Sequence, residues 1–272
     1  MYFMRTFWMG RYVYVKAYTP RGFGAPLKQR IKRMRETPKA MKKYNNTKRS
    51  EKLQLLILTN FDKGYHVTLD YPKGQKPETY AEAEKNLTDC LHKVSRRLKR
   101  QGKKFKYIAV TERGKKAAAL HHHMVIEHDQ DVLHELLDVW GQHMHISVMY
   151  EEGQYKELAD YLVKVETKEE QTKGKSKYHR SRNLDKPLEK SALVEGQIRD
   201  APFIPKGYEL VPGSLINGLN EVIGVRYQKY MIRRLPEAAG QHPDQRSAPK
   251  ESKKCTKKES IWSRIKKRIL GR

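Results

Sequence analysis

Cysteine is almost absent from the 272 residues: Cys90 and Cys255 are the only two. That count excludes a disulfide-stapled secreted scaffold and fits a reducing, cytoplasmic compartment. No apolar run approaches the roughly 20 residues that cross a bilayer, so no membrane partner is expected. The opening Met1-Tyr2-Phe3-Met4-Arg5 has no long apolar stretch before a small-residue cleavage site, so no signal peptide is read there. Internal repeats are absent. Acids are scarce, 31 against 57 Lys and Arg, giving a formal net charge of +26 and a pI of about 9.9. An excess of that size points to a polyanionic partner, with nucleic acid first; an anionic membrane surface or an RNA scaffold is also compatible. The length suits one core domain with extensions, or two small domains.

The charge is concentrated at the start of the chain. Residues 1–50 hold 14 Lys and Arg and a single acid, Glu36, with Phe7, Trp8, Tyr12, Tyr14 and Tyr18 interleaved. Residues 1–47 therefore read as a basic, aromatic arm that tracks a nucleic-acid backbone and stacks bases, or as a solvated extension. Val13 and Val15 could make a short strand, which Pro20, Gly22, Gly24 and Pro26 would break up. The patterned part follows. Leu53, Leu56, Ile57 and Phe61 predict a helix over 48–62. Residues 65–71 predict a strand. Leu87, Leu91, Val94 and Leu98 predict a long helix over 79–101. Strands are expected at 105–111, 120–126 and 146–150, and helices at 131–140 and 154–165. This order is a β-α-β-β-α-β unit with a helix added, an α+β, ferredoxin-like antiparallel sheet with helices on one face and the other face free for a ligand. Residues 171–235 read as an extension packed on or near that core domain of 48–170. Residues 236–272 read as a disordered basic tail, with a cationic amphipathic helix at 261–270.

The stretch Leu120-His121-His122-His123-Met124-Val125-Ile126 carries the chemistry. On a strand, His121 and His123 share one face, and two imidazoles at that spacing can hold a divalent ion. The spacing alone is weak, because His143-Met144-His145 repeats it and exposed histidine pairs are ordinary polar surface. The first pair is singled out by the apolar alternation on its opposite face, by Glu112 on the preceding strand, and by Tyr161 and Lys164 downstream. Whether Glu112 shares the histidine face is left open, since both faces of 105–111 look apolar. His122 is expected to be buried and hydrogen-bonded on the helix-covered face. Tyr161 and Lys164 stand at i and i+3 on one helix face. Tyr155 is a rival tyrosine, about 600° around the helix from Tyr161, and does not share that face. Taken singly, Tyr161 reads equally as a core residue and Lys164 as a solvated charge.

These residues resemble the HUH endonucleases, specifically the rolling-circle replication initiator (Rep) proteins of bacterial plasmids, phages and related elements. His121-His122-His123 stands where that family has His-hydrophobe-His, and Tyr161-Leu162-Val163-Lys164 where it has Tyr-x-x-Lys. Tyr65 to Tyr71 resembles the family's first strand motif, and Glu112 stands where several members place a third metal ligand. The resemblance covers roughly residues 52–170; it departs at His122, which occupies an apolar position, and in having one well-placed tyrosine where some initiators use two. It implies nicking of one strand at a single-stranded origin, with Tyr161 joined to the 5′ phosphate and Lys164 assisting. It also implies Mg2+ or Mn2+ on His121, His123 and Glu112, and a bacterial cytoplasm. No Gly-x-x-x-x-Gly-Lys-Ser/Thr loop is present, so a host helicase and DNA polymerase are the expected partners. Arg96, Arg97, Arg100, Arg180 and Arg182 are candidate contacts to nucleic acid. A relaxase of a mobilisable element would share the chemistry; a non-catalytic nucleic-acid-binding protein would share only the fold.

Overall fold

A computed structural model describes residues 1–19, 38–61, 63–114, 119–149, 155–165, 178–220 and 225–236. The core unit runs β3 (Gly64–Leu69), α2 (Tyr80–Arg100), β4 (Tyr107–Arg113), β5 (Leu120–Glu127), α3 (Gln130–Trp140), β6 (Met144–Val148), α4 (Lys156–Val165). Its sheet has the order β6-β3-β5-β4, extended at the β4 edge by β7 (His179–Arg180). Every neighbouring pair is antiparallel. The fold is α+β with the ferredoxin-like order that alternation and element sequence predicted.

One face of this sheet is covered by α2 and α3. Leu87, Leu91, Val94 and Leu98 of α2 and Val132 and Leu136 of α3 pack on Val67, Ala109, Met124 and Ile126. The opposite face, expected to be free, carries a second layer. Helix α1 (Pro38–Asn60) and α4 lie over Ile108, Val110 and Val125, through Leu53, Ile57, Ala159 and Leu162. Only the end of that face bearing Glu112, His121 and His123 lies beyond this apolar cover. Helix α1 begins ten residues earlier than its apolar spacing indicates, because none of residues 43–49 is buried to mark its early turns.

Residues read as an arm are instead strands. β1 (Tyr2–Met9) and β2 (Tyr12–Tyr18) form a hairpin within a second sheet, ordered β10-β11-β2-β1-β8 with β9 on β11. The partners are β8 (Leu188–Val194), β9 (Tyr208–Leu210), β10 (Ile216–Asn220) and β11 (Val225–Arg234). Period-2 alternation turns Phe7, Met9, Tyr12 and Tyr14 toward α1, so the aromatics form core. Much of the hairpin's charge is consumed locally: Arg5 pairs with Glu189, and Lys16 pairs with Glu51 on α1 at 2.6 Å. The remainder of the expected arm, residues 20–37, lies outside the described residues, as do 237–272 and the helix expected at 261–270. No described helix is long and apolar enough to cross a membrane.

Helix α1 is the layer shared by both sheets. Ile57, fully buried within it, sits in the cluster that joins Met9, Tyr14 and Met231 to Ile108 and Val125. Ile57→Ala should cost about 2–5 kcal/mol of stability, the range for a large-to-small change in a packed core. Chemical denaturation would read this as one cooperative transition at lower denaturant; two separate transitions would show that the sheets fold independently of α1.

Candidate metal and nucleophile site

The register between β4 and β5 settles the position of Glu112. Glu112 lies directly opposite His121, and Val110 opposite His123. Directly paired residues share a face. Ile108 and Val110 already point toward α1 and α4, so Glu112, at the same parity, joins the histidine face. β4 runs on through Arg113, two residues past the expected end, because β5 continues beside it to Leu120.

Three ligand atoms converge there. The Nε2 atoms of His121 and His123 are 3.1 Å apart. Glu112 Oε2 lies 3.3 Å from His123 Nε2 and 3.8 Å from His121 Nε2. The outer nitrogens are tied back: His121 Nδ1 lies 3.3 Å from the Ala119 carbonyl, and His123 Nδ1 lies 3.3 Å from Thr68 Oγ1. Such ties fix the ring orientation and aim each Nε2 inward. Burial lowers the His123 pKa to about 3, so its lone pair is available at neutral pH. Two neutral imidazoles and one carboxylate suit a first-row divalent ion with open positions. This group could hold such an ion, and it is the sole three-residue cluster of that kind among the described residues.

Tyr161 completes the cluster from α4. Its hydroxyl donates to Glu112 Oε2 at 2.5 Å and lies 3.0 Å from His123 Nε2. Its ring meets that of His123 edge-on, at 5.1 Å between centroids. The residue is 41 % exposed, so a polymeric substrate can reach the oxygen. Burial, and then the hydrogen bond to Glu112, raise the phenol pKa above its ordinary value of about 10, which keeps the proton on oxygen. Tyr155 is removed from the site: it is buried in the core cluster beneath α4, with a φ of 49° just before the helix. The backbone of Lys164 belongs to α4, but its side chain lies outside the described residues.

His122 points the other way, as the alternation predicts, and is fully buried. Its Nδ1 lies 2.9 Å from Thr111 Oγ1 and its Nε2 2.6 Å from the Tyr71 hydroxyl. Thr111 in turn donates to Glu84, which also meets His179. A satisfied polar network therefore accounts for a histidine where an apolar residue is usual, and burial holds its pKa down at about 3. Two residues at the site were not legible in the sequence. Thr68 stands opposite His123, and His66 stacks on the His123 ring at 5.4 Å and 16°. Only the β3–β5 register reveals them. The second His-x-His remains apart from the cluster: His145 is 83 % exposed, with Asp70 at 3.8 Å.

The candidate arginines divide. Arg96, Arg97 and Arg100 lie on α2, behind the sheet from Tyr161, and Arg97 is engaged by Glu135 at 3.2 Å and Asp138 at 3.6 Å. Arg180 is exposed on β7 opposite Ile108, which places it on the face of the site. Arg182 lies near Tyr107, where its charge draws the phenol pKa down against burial.

No curated protein and no solved structure matches the chain. Residues 64–170, from β3 through α4, match the family model of the replication-associated proteins of the ORF2 type, so this part of the chain is similar to replication-associated, Rep-like proteins.

Proposed function

We propose that the chain is a rolling-circle replication initiator that nicks single-stranded origin DNA through a covalent tyrosine intermediate. The observation that carries this reading is the phenol of Tyr161 within hydrogen-bond reach of both Glu112 and His123. A merely structural tyrosine has no need of a half-exposed hydroxyl set on a carboxylate between two inward-facing imidazoles. A non-catalytic binding protein on this fold leaves that arrangement unexplained.

The proposed reaction follows from the geometry. The Tyr161 oxygen attacks the phosphorus of a phosphodiester, forming an O–P bond as the bond to the 3′ oxygen breaks. The phenolic proton is already directed at Glu112, its nearest acceptor. The leaving 3′ oxygen takes up a proton from solvent and becomes a free 3′ hydroxyl, while the 5′ phosphate stays on Tyr161. Attack by a 3′ hydroxyl on that phosphotyrosine reverses the step and rejoins a strand. Mg2+ or Mn2+ held by His121, His123 and Glu112 would supply positive charge to the phosphate and favour the phenolate. Lys164, one turn beyond Tyr161, steadies phosphate or phenolate. A host helicase and polymerase would unwind the duplex and extend the 3′ end. The direct test is incubation with labelled single-stranded DNA and Mn2+, followed by a denaturing gel; a covalent protein–DNA band supports the reading, and its absence with intact binding sinks it.

Two further results are expected. Lys164→Ala should slow single-turnover adduct formation by up to about 100-fold without stopping it, the scale for losing one charge-stabilising donor. An unchanged rate would remove Lys164 from the chemistry. Affinity is expected to come from basic segments outside the described residues. Removing residues 1–47 would destroy β1 and β2, so the informative changes are neutralisation of Arg21, Lys28, Arg30, Lys32, Arg33 and Arg35 and deletion of 237–272. Each should weaken single-strand binding and flatten its salt slope by roughly 0.7 per lost phosphate contact. A slope unaltered by both would assign the affinity elsewhere.

A further inference from the structure

A groove between α1, α4 and the second sheet encloses a cavity of about 110 Å3, well above the roughly 10–15 Å3 that holds one water. Thr47 and Lys156 stand on exposed helix turns at it; Glu51, Asp160, Ser214 and Lys229 line it further. Glu51 is held by Lys16 at 2.6 Å and Lys229 at 3.5 Å, and accepts from the Tyr14 hydroxyl. Asp160 accepts from the Ser50 hydroxyl, which ties α1 to the helix turn that carries Tyr161. The lining thus mixes donors and acceptors. Two carboxylates on one small cavity would repel a phosphate. A neutral, planar group with both donors and acceptors on its edge fits better, and an unstacked nucleobase is such a group.

The approach to the cavity points to the same ligand. Lys43, Tyr44, Lys48 and Arg49 are exposed on α1 around Thr47, and the Lys48 ammonium stands 4.4 Å from the Tyr44 ring centroid. A basic surface with an accessible aromatic suits a single strand. Asp160 immediately precedes Tyr161, so cavity and nucleophile occupy adjoining faces of one helical turn. We propose that this cavity receives one base of the strand whose phosphate lies at Tyr161, and so contributes base preference to the nuclease. The inference rests on the reading of Tyr161 as a nucleophile for single-stranded DNA.

The test uses the full chain and equal-length adenine, cytosine and thymine homopolymers, with binding followed by anisotropy without divalent ion. Wild type should favour one homopolymer by about fivefold or more, the lower end of what one hydrogen-bonded base contact gives. Thr47→Trp sets an indole over the mouth from an exposed turn, away from the Glu51 ion pairs and from Tyr161. It should bind all three polymers alike, with a wild-type salt slope. Lys156→Met removes one donor and should shrink the same preference. The inference is overturned if wild type shows no preference, or if Thr47→Trp, folded by circular dichroism, keeps it. Adduct formation with Mn2+ is measured in parallel. An adduct on Tyr161 beside a preference that survives Thr47→Trp defeats the cavity alone, whereas no adduct from wild type defeats the nuclease reading beneath it.

Discussion

Tyr161→Phe is expected to bind single-stranded DNA and divalent ion as wild type does and to form no covalent adduct, a loss of at least about 10^4-fold on the scale of nucleophile knockouts. The change is nearly isosteric. The phenyl ring keeps its edge-on contact with His123, so no cavity opens and α4 stays seated through Leu162 and Ala159. What disappears is one oxygen, the atom placed 2.5 Å from Glu112 and 3.0 Å from His123. The substitution therefore separates chemistry from packing. Peptide mass mapping of the wild-type adduct identifies the attacking side chain independently. A nucleotide found on Tyr155, with Tyr161→Phe still active, would overturn the assignment, although Tyr155 lies buried in the core.

His121→Ala with His123→Ala should abolish metal-dependent nicking and reduce divalent-ion affinity below detection by calorimetry, while the protein stays folded. Glu112 would remain as a lone carboxylate, and one oxygen ligand does not hold a divalent ion against water. The fold should tolerate the pair, because both side chains sit at the end of the sheet face and not within the apolar clusters. The double change removes the stack on His66 and the edge-on meeting with Tyr161, both local. His122→Ala offers the contrast. It removes a buried group bonded to Thr111 and Tyr71, so it should lower thermal stability as well as activity. Full metal-dependent cleavage by the double variant, with normal circular dichroism, would dismiss the histidine pair as ligands.

Much of the core domain was legible because its signals are local. An apolar stripe at Leu87, Leu91, Val94 and Leu98 specifies a helix face, and the alternation around His121 to Val125 specifies a strand with two histidines on one side. From those periods follow the order of elements, the burial of His122 and the shared face of His121 and His123. Tyr161 was legible through its spacing from that strand. Where the signal was not local, reading failed. Tyr2–Met9 and Tyr12–Tyr18 looked like a charged arm because the strands that pair with them, β8 and β11, lie more than 150 residues further on, and the acids that neutralise Arg5 and Lys16 sit on other elements.

By itself the sequence determined which residues could do the chemistry, since residue type and period decide what a side chain offers and which side of its own element it takes. Tertiary structure alone decided where those sides meet. It paired Glu112 with His121, set Thr68 and His66 against His123, laid α1 and α4 over the face expected to be free, and brought Tyr161 to the carboxylate. The physical reason is that strand register and helix docking are chosen by the burial of all apolar faces at once, through Ile57, Val110, Val125 and Leu162 together, and no window of the chain contains that sum.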